Sequence, residues 1–339
     1  MSIVITGGGT GGHLAIAKSI GLELKNREIK IIFIGSTYGQ DMAWFKDSDI
    51  FDEKIFLDSS GVVNKKGLSK IGSLLNIISL SFECKKVLKD KDVKALFSVG
   101  GYSAAPATFY SLFFRKPLFI HEQNHAIGRL NKLFKPFSKG FYSSYQKKKF
   151  DYPVNEIFFE NARERESLKT ILFLGGSQGA KFINDLAMSL ALDLDKKKIK
   201  IIHQCGSSDF ERVSKFYKES GIEADAFDFS NELVLKMNEA DLCVGRSGAS
   251  SLWELVANQL PAIFIPFPYA ANDHQFYNAK FLADGNLAKI IRQESVSKEQ
   301  ILDEILNYDI RTVSLNLKDI MNRDGAKKIV DDVLSKIPN

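Results

Sequence analysis

The chain has 339 residues, longer than one hydrophobic core usually organises, so two domains are expected. Its 46 basic and 41 acidic residues leave a net charge of +5, too balanced to argue for nucleic acid, and its 45% hydrophobic content suits a globular protein rather than a disordered one. Three widely spaced cysteines, Cys84, Cys205 and Cys243, lack paired spacing, which argues against a disulfide frame or zinc site and predicts reduced, buried thiols in a cytosolic protein.

The opening Ser2-Ile-Val-Ile-Thr6 runs straight into glycines, without the basic, apolar and cleavage regions of a signal peptide. Short β-branched or aromatic runs then alternate with amphipathic stretches: Ile3–Thr6, Lys30–Ile34, Lys54–Leu57, Lys94–Val99, Pro117–His121 and Gly140–Ser143. Residues 146–169 interrupt the pattern with Lys147 to Lys149, Tyr152-Pro153 and the charged run Asn161 to Ser167, a candidate inter-domain connection. Alternation resumes at Thr170–Leu174, Lys200–Gln204, Ala224–Phe227, Asp241–Val244, Pro261–Ile265 and Leu287–Ile290. This predicts an α/β protein of two doubly wound domains, 1–150 and 151–321, with a last helix at about 322–339 that can pack on either domain, including back on the first.

Leu68, Ile71, Leu74, Leu75, Ile78 and Phe82 recur at helical spacing, flanked by Lys65, Lys66, Lys70, Lys85 and Lys86. Such a stripe suits an interfacial helix on anionic lipid, although periodicity alone favours a crossover helix covering a sheet. Its most apolar part, Leu74 to Phe82, is too short to span a bilayer. Phe109, Phe113 and Phe114 beside Arg115 and Lys116, with the basic stretch Lys132 to Lys149, predict a basic surface on the first domain.

Gly7-Gly-Gly-Thr-Gly-Gly12 joins the first strand to a helix expected from about His13 to Lys25. Free N–H groups and the helix dipole favour anionic oxygens at such a turn. Gly7, Gly9 and Gly12 match a dinucleotide fingerprint, but Gly35-Ser36-Thr37 stands where that motif expects a ribose-binding acid. A nucleoside-triphosphate P-loop would close on Gly-Lys-Ser/Thr, whereas His13 follows Gly12. Gly175-Gly-Ser-Gln-Gly-Ala180 and Gly245-Arg-Ser-Gly-Ala-Ser250 repeat the strand, small-residue turn and helix arrangement. One such loop reads as a tight turn; three in the same relative position favour a ligand carrying phosphates and hydroxyls. Asp-x-Asp copies at Asp47/Asp49, Asp90/Asp92 and Asp193/Asp195 lie at charged helix ends or in loops, so no protein-bound metal is expected.

Gly8-Gly-Thr-Gly-Gly-His13, Gly100-Gly-Tyr102 with Pro106, His121-Glu-Gln-Asn124, Gly175 to Ala180, Arg246-Ser-Gly-Ala249 with Glu254, and His274-Gln275 with Asn278 together resemble the MurG family of bacterial glycosyltransferases, in the family's order and over nearly the whole chain. The resemblance implies a GT-B fold, two Rossmann-like domains facing a central cleft. It also implies inverting transfer of N-acetylglucosamine from UDP-N-acetylglucosamine (UDP-GlcNAc) to lipid I, the lipid-linked N-acetylmuramyl-pentapeptide, giving lipid II in peptidoglycan synthesis. It places the acceptor and an anionic membrane surface on the first domain, the donor on the second, and the enzyme peripherally on the cytoplasmic side of the bacterial cell membrane. No cofactor is implied, and a divalent cation is at most an assistant. Leu14-Ala-Ile-Ala17 is shorter than the family's usual stretch and lacks its proline, and Tyr152-Pro-Val-Asn155 lacks its usual arginine.

The resemblance also suggests roles. His13 is the first choice for the base, because imidazole titrates near neutrality, with Glu122 as the alternative. Thr10, Gly11 and Gly12 are expected to face the reacting carbon and the acceptor, and Asn124 the acceptor or sugar hydroxyls. Ser177 and Gln178 belong to the loop expected to grip the diphosphate, with Arg246, Ser247, Gly248 and Ala249 supplying a counter-charge and a second turn. Glu254 suits the ribose hydroxyls, and Gln275, with His274 and Asn278, the transferred sugar. A UDP-GlcNAc 2-epimerase of the same fold and a non-catalytic nucleotide-sugar-binding protein are the competing readings.

Overall fold

A computed structural model describes residues 1–61, 67–146, 150–176, 179–230 and 232–337, with 67–70 by backbone alone. Two compact units emerge, Met1–Asn155 with Asp324–Asn339, and Glu156–Arg323.

In the first unit the chain runs β1 (Ser2–Gly7), α1 (Gly11–Asn26), β2 (Lys30–Ser36), α2 (Asp41–Phe45), β3 (Glu53–Leu57), α3 (Gly67–Val87), β4 (Val93–Gly100), α4 (Ala105–Phe113), β5 (Leu118–His121), α5 (Arg129–Phe134) and β6 (Gly140–Tyr142). The six strands form a parallel sheet in the order β3-β2-β1-β4-β5-β6. β1 is buried along its whole length and β2 from Ile31 onward, as expected of strands covered on both faces. The order reverses between β1 and β4, which leaves the loops at their carboxyl ends splayed apart.

The second unit repeats the plan: α6 (Ile157–Glu160), β7 (Thr170–Leu174), α7 (Lys181–Lys196), β8 (Lys200–Gln204), α8 (Phe210–Ser220), β9 (Ala224–Phe227), α9 (Leu233–Glu239), β10 (Leu242–Gly245), α10 (Ala249–Ala257), β11 (Ala262–Phe264), α11 (His274–Asp284), β12 (Lys289–Ile290), α12 (Lys298–Leu306) and α13 (Ile310–Leu317). Its parallel sheet has the order β12-β11-β10-β7-β8-β9, with the reversal between β7 and β10. The final helix α14 (Gly325–Ser335) belongs to the first unit. It buries Ile329, Val330 and Val333, Asp331 pairs with Arg27 at 2.6 Å, and Asp332 accepts from the Tyr142 hydroxyl at 2.8 Å.

The boundary between the units, at Asn155/Glu156, falls inside the expected connection at 146–169, but past it the segment is packed. From Glu156 onward it is part of the second unit, and Arg165 within it is only 1% exposed. The Arg165 guanidinium donates to the carbonyls of Ala240, Arg163, Asn258 and Met237 and to the Asn258 side chain. A charged run that reads as solvated linker instead crosses the end of α9 and fills its orphan carbonyls, the groups any helix C-terminus leaves unpaired. The three cysteines are free and buried.

Helix α3 carries two apolar stripes. Ile77, Leu80 and Cys84 are buried, while Ile71, Leu74, Leu75, Ile78 and Phe82 are exposed, Leu75 by 61% and Phe82 by 54%. The stripe singled out in the sequence therefore does not cover the sheet. Its continuation at Leu68 and the lysines 65, 66, 70 and 147–149 lie outside the described side chains.

Candidate active site

In the first unit the site is built from the carboxyl ends of β1, β4 and β5. Helix α1 starts at Gly11, earlier than expected, behind Thr10 in an extended conformation. A threonine there would ordinarily cap a backbone N–H. Instead its Oγ1 lies 3.0 Å from His13 Nδ1, and the other ring nitrogen, Nε2, lies 3.0 Å from Gln123 Nε2, just past β5. An amide nitrogen only donates, so His13 Nε2 accepts and Nδ1 carries the proton toward Thr10. The Gln123 carbonyl Oε1 is buried and has no hydrogen-bond partner among the described residues.

Glu122 is 2% exposed. Its Oε1 accepts from the Asn124 N–H at 3.0 Å, and its Oε2 from the Gly128 N–H at 2.9 Å and Asn131 Nδ2 at 2.8 Å. These donors commit the carboxylate to shaping the 122–131 segment. Asn124 is half-buried at the start of that segment. His121, fully buried against Tyr152, is pushed down to about 3 by burial and secondarily by His13, and stays neutral.

Asp41 has no place in the sequence reading, yet it organises the first glycine loop. Fully buried at the start of α2, it accepts from the Gly9 N–H with one oxygen and from the Ser36 N–H at 2.8 Å with the other. Burial raises its pKa, against the lowering effect of those N–H groups. Gly9 has φ +84°, and a Cβ there would overlap the Tyr102 ring, so only glycine fits between Asp41 and Tyr102. Asp41 lies 32 residues from Gly9, and no local pattern marks the pairing.

In the second unit β7 leads into Gly175-Gly176, and Gly179, at φ +73° and packed on the Cys205 carbonyl, donates to Gly176 O at 2.9 Å. Ser177 and Gln178 lie outside the described residues. Helix α7 follows with no side-chain cap and no acid in its first turn, so its dipole is not offset there.

Next to this loop, the Arg246 N–H donates to Leu174 O at 3.2 Å. The Arg246 side chain is not a solvated surface group: it is 9% exposed. It donates to Ile265 O at 2.9 Å, Pro266 O at 3.1 Å and Gln293 Oε1 at 2.7 Å, and the rings of Phe182 and Phe267 flank it at 5.6 and 5.5 Å. All these partners are neutral; among the described residues no carboxylate pairs with it, and burial brings its pKa down to about 10, so it stays charged at neutral pH. The Ser247 hydroxyl is buried without a partner among the described residues. Gly248 caps α10, which also lacks an acid in its first turn, Ala249 is buried at its start, and Glu254 is half-buried further along.

Asn278 on α11 donates to Ser247 O at 3.3 Å, tying that helix to the Arg246 turn. Gln275 Oε1 accepts from the Phe267 N–H at 2.9 Å, which leaves its NH₂ group for another acceptor, and His274 Nδ1 contacts Ala271 O at 3.0 Å. The intervening loop holds Asn272 and Asp273 in left-handed conformations, φ 54° and 52°. Arg292 fixes it with a bidentate pair to Asp273 at 3.0 and 2.6 Å while lying 3.9 Å over Phe276. Phe182, Gln293 and Arg292 were not legible as site residues, because each acts through a partner far along the chain.

The Asp-x-Asp copies are engaged elsewhere: Asp49 with Lys25, Asp92 with the N-terminal amine, and Asp193 with Lys298. Among the described residues no group of three or more His, Cys, Asp or Glu is placed to hold a metal ion.

Residues 3–143 match the glycosyltransferase family 28 N-terminal domain and residues 170–333 the glycosyltransferase family 28 C-terminal domain. The chain is 56% identical to the UDP-N-acetylglucosamine–N-acetylmuramyl-(pentapeptide) pyrophosphoryl-undecaprenol N-acetylglucosamine transferase of Campylobacter fetus, over 98% of this chain and 100% of that protein. It is 56% identical to the enzyme of the same name from Campylobacter hominis, over 100% and 99%. In fold it resembles the crystal structure of Acinetobacter baumannii MurG, with a TM-score of 0.77 at 23% identity over 98% of this chain and 99% of that one.

Proposed function

The chain belongs to glycosyltransferase family 28, and from that premise we propose that it moves N-acetylglucosamine from UDP-N-acetylglucosamine onto a lipid-linked N-acetylmuramyl-pentapeptide, the reaction its curated relatives are named for. The observation that carries this reading is the buried, carboxylate-free guanidinium of Arg246 beside the second glycine loop. A cation desolvated among neutral partners costs folding free energy, and a bound diphosphate would supply the missing counter-charge.

In the transfer, a sugar hydroxyl of the acceptor attacks the anomeric carbon of the donor. A carbon–oxygen bond forms as the bond to the β-phosphate breaks, the electron pair leaves with UDP, and the configuration inverts. Arg246 and the uncapped start of α7 stabilise the charge growing on the diphosphate. Glu254 takes the ribose, and the Gln275 NH₂ group, with His274 and Asn278 nearby, holds the transferred sugar. His13 receives the hydroxyl proton; Glu122, its carboxylate already bonded to three donors, holds the loop that carries Asn124 and Gln123. The reading uses no metal ion, because the guanidinium and the helix start offset the leaving charge.

Reaching a lipid-linked acceptor requires the membrane surface. Among the described residues no helix is long and apolar enough to cross a membrane. The exposed stripe of α3 continues through Phe113, which stacks on Phe82 at 6.1 Å, while Lys85 lies 4.7 Å over Phe114. Exposed apolar side chains with Lys85 and Lys86 at the end of the helix suit peripheral attachment to an anionic leaflet on the cytoplasmic side.

Transfer of radiolabel from UDP-N-acetylglucosamine to lipid I tests the proposal. Label in the lipid product, dependent on enzyme, is expected; folded protein that releases UDP without lipid acceptor would point to an epimerase instead.

A further inference from the structure

Gln123 touches His13 at the nitrogen opposite Thr10, and its arrangement is incomplete. The amide NH₂ faces His13 Nε2 at 3.0 Å while the carbonyl Oε1 is buried without a partner among the described residues. Gln123 itself is only 7% exposed, so water does not freely take the place of that partner. A buried carbonyl left unpaired is costly, and such groups often mark a site that changes state.

The state that would satisfy it follows from the chemistry of imidazole. While His13 is neutral with its proton on Nδ1, the NH₂ group is the correct partner for Nε2. Once His13 has taken the acceptor's proton, both ring nitrogens carry hydrogen, and an NH₂ group opposite Nε2 would oppose donor to donor. A half-turn of the amide then brings Oε1 onto Nε2–H, stabilises the imidazolium and ends the isolation of the carbonyl. In neutral His13 the same half-turn favours the tautomer with its proton on Nε2, reached when solvent water takes the Nδ1 proton and returns one to Nε2, and leaves the Nδ1 lone pair facing Thr10 Oγ1, 3.0 Å away.

We propose that Gln123 is the positioning residue of the proton transfer, its amide turning from NH₂ to Oε1 as His13 changes from the resting tautomer to the form that accepts and then holds the acceptor's proton. The inference rests on His13 as the base. The proton balance is closed: the tautomer change gives one proton to water at Nδ1 and takes one from water at Nε2, and in the transfer one proton leaves the acceptor hydroxyl, directly or through the Thr10 hydroxyl, and one arrives at Nδ1. Around the ring stand Thr10, Gln123, the Gly100 backbone and the buried neutral His121, whose proximity disfavours a second positive charge.

Two variants test it against a merely structural role. Gln123→Glu offers an acceptor at all times, so the acid limb of the kcat–pH profile should move to higher pH by about one unit, as a carboxylate on an imidazolium does. Gln123→Leu offers none, so kcat should fall at least about tenfold, a fraction of the roughly 100- to 10,000-fold that a general base contributes, with the KM for UDP-N-acetylglucosamine within about twofold. Nitrogen-15 shifts of the His13 ring give a readout independent of turnover: Nδ1–H in the wild-type protein and Nε2–H in Gln123→Glu. Folded variants with wild-type pH limbs and unchanged ring shifts would overturn the proposal. His13→Ala, run in parallel, separates the two layers: if it keeps wild-type kcat the base assignment itself falls, and if it abolishes turnover while both Gln123 variants behave as wild type, only the role of Gln123 falls.

Discussion

Replacing Arg246 by methionine should separate binding from stability. The side chain donates three hydrogen bonds to neutral oxygens. At about 1.5–3 kcal/mol for each bond to a charged group, these amount to roughly 4–9 kcal/mol, against a desolvation cost of several kcal/mol for an ion buried without a counter-charge. Methionine leaves these three oxygens without their donor but removes the buried charge and keeps the contacts with the Phe182 and Phe267 rings, so the net loss should stay within about 2 kcal/mol and Tm should fall by less than about 8 °C. The diphosphate loses at least one charge-assisted contact worth about 3 kcal/mol, which weakens UDP binding about 100-fold. Titration calorimetry with UDP and thermal unfolding, with and without UDP, measure both quantities. A folded Arg246→Met protein that binds UDP within about threefold of wild type would refute the counter-charge reasoning. A loss of Tm beyond about 10 °C would show the guanidinium to be chiefly structural.

Three further outcomes follow from other parts of the molecule. Arg165→Met leaves the carbonyls of Arg163, Met237 and Asn258 and the Asn258 side chain without their Arg165 donor, while Ala240 keeps the bond from Arg163, and should destabilise the second unit by about 3–5 kcal/mol in urea unfolding; a loss under about 1 kcal/mol would contradict the burial argument. Burial holds His121 and His203 at about 3 and about 4, below the ordinary 6.5. The folded state therefore binds fewer protons than the unfolded one below pH 6.5, and each histidine should cost its unit about 2 kcal/mol between pH 7 and pH 5; His203→Gln should remove that slope from the second unit, and an unaltered slope would count against it. The pair Ile78→Glu and Phe82→Glu removes about 3 kcal/mol of apolar insertion and should weaken sedimentation with anionic vesicles about 100-fold while UDP binding is kept; unchanged partition would rule out α3 as the contact.

Much of this protein could be read before its structure. All twelve described strands appear in the sequence within a residue or two of their observed ends, the inner ones because strands covered on both faces need continuous β-branched and aromatic runs. The glycine turns were equally plain, since a strand entering a helix through a close approach leaves few residue types to choose from. The resemblance to the MurG family rested on the same turns together with His13, Arg246 and Gln275.

Tertiary structure decided what those residues touch. Helical periodicity marks an apolar stripe but not its direction, and α3 has two, one buried in the first unit and one exposed. Composition marks a charged run at 161–167 but not the carbonyls that draw Arg165 inward. Gly9 meets Asp41 across 32 residues, and His13 meets Gln123 across 110. Such pairings are made only when parallel strands distant in sequence bring their carboxyl ends to one edge of a sheet. The backbone plan is therefore local and was legible, whereas the proton and charge partners of the site are products of the folded sheet order.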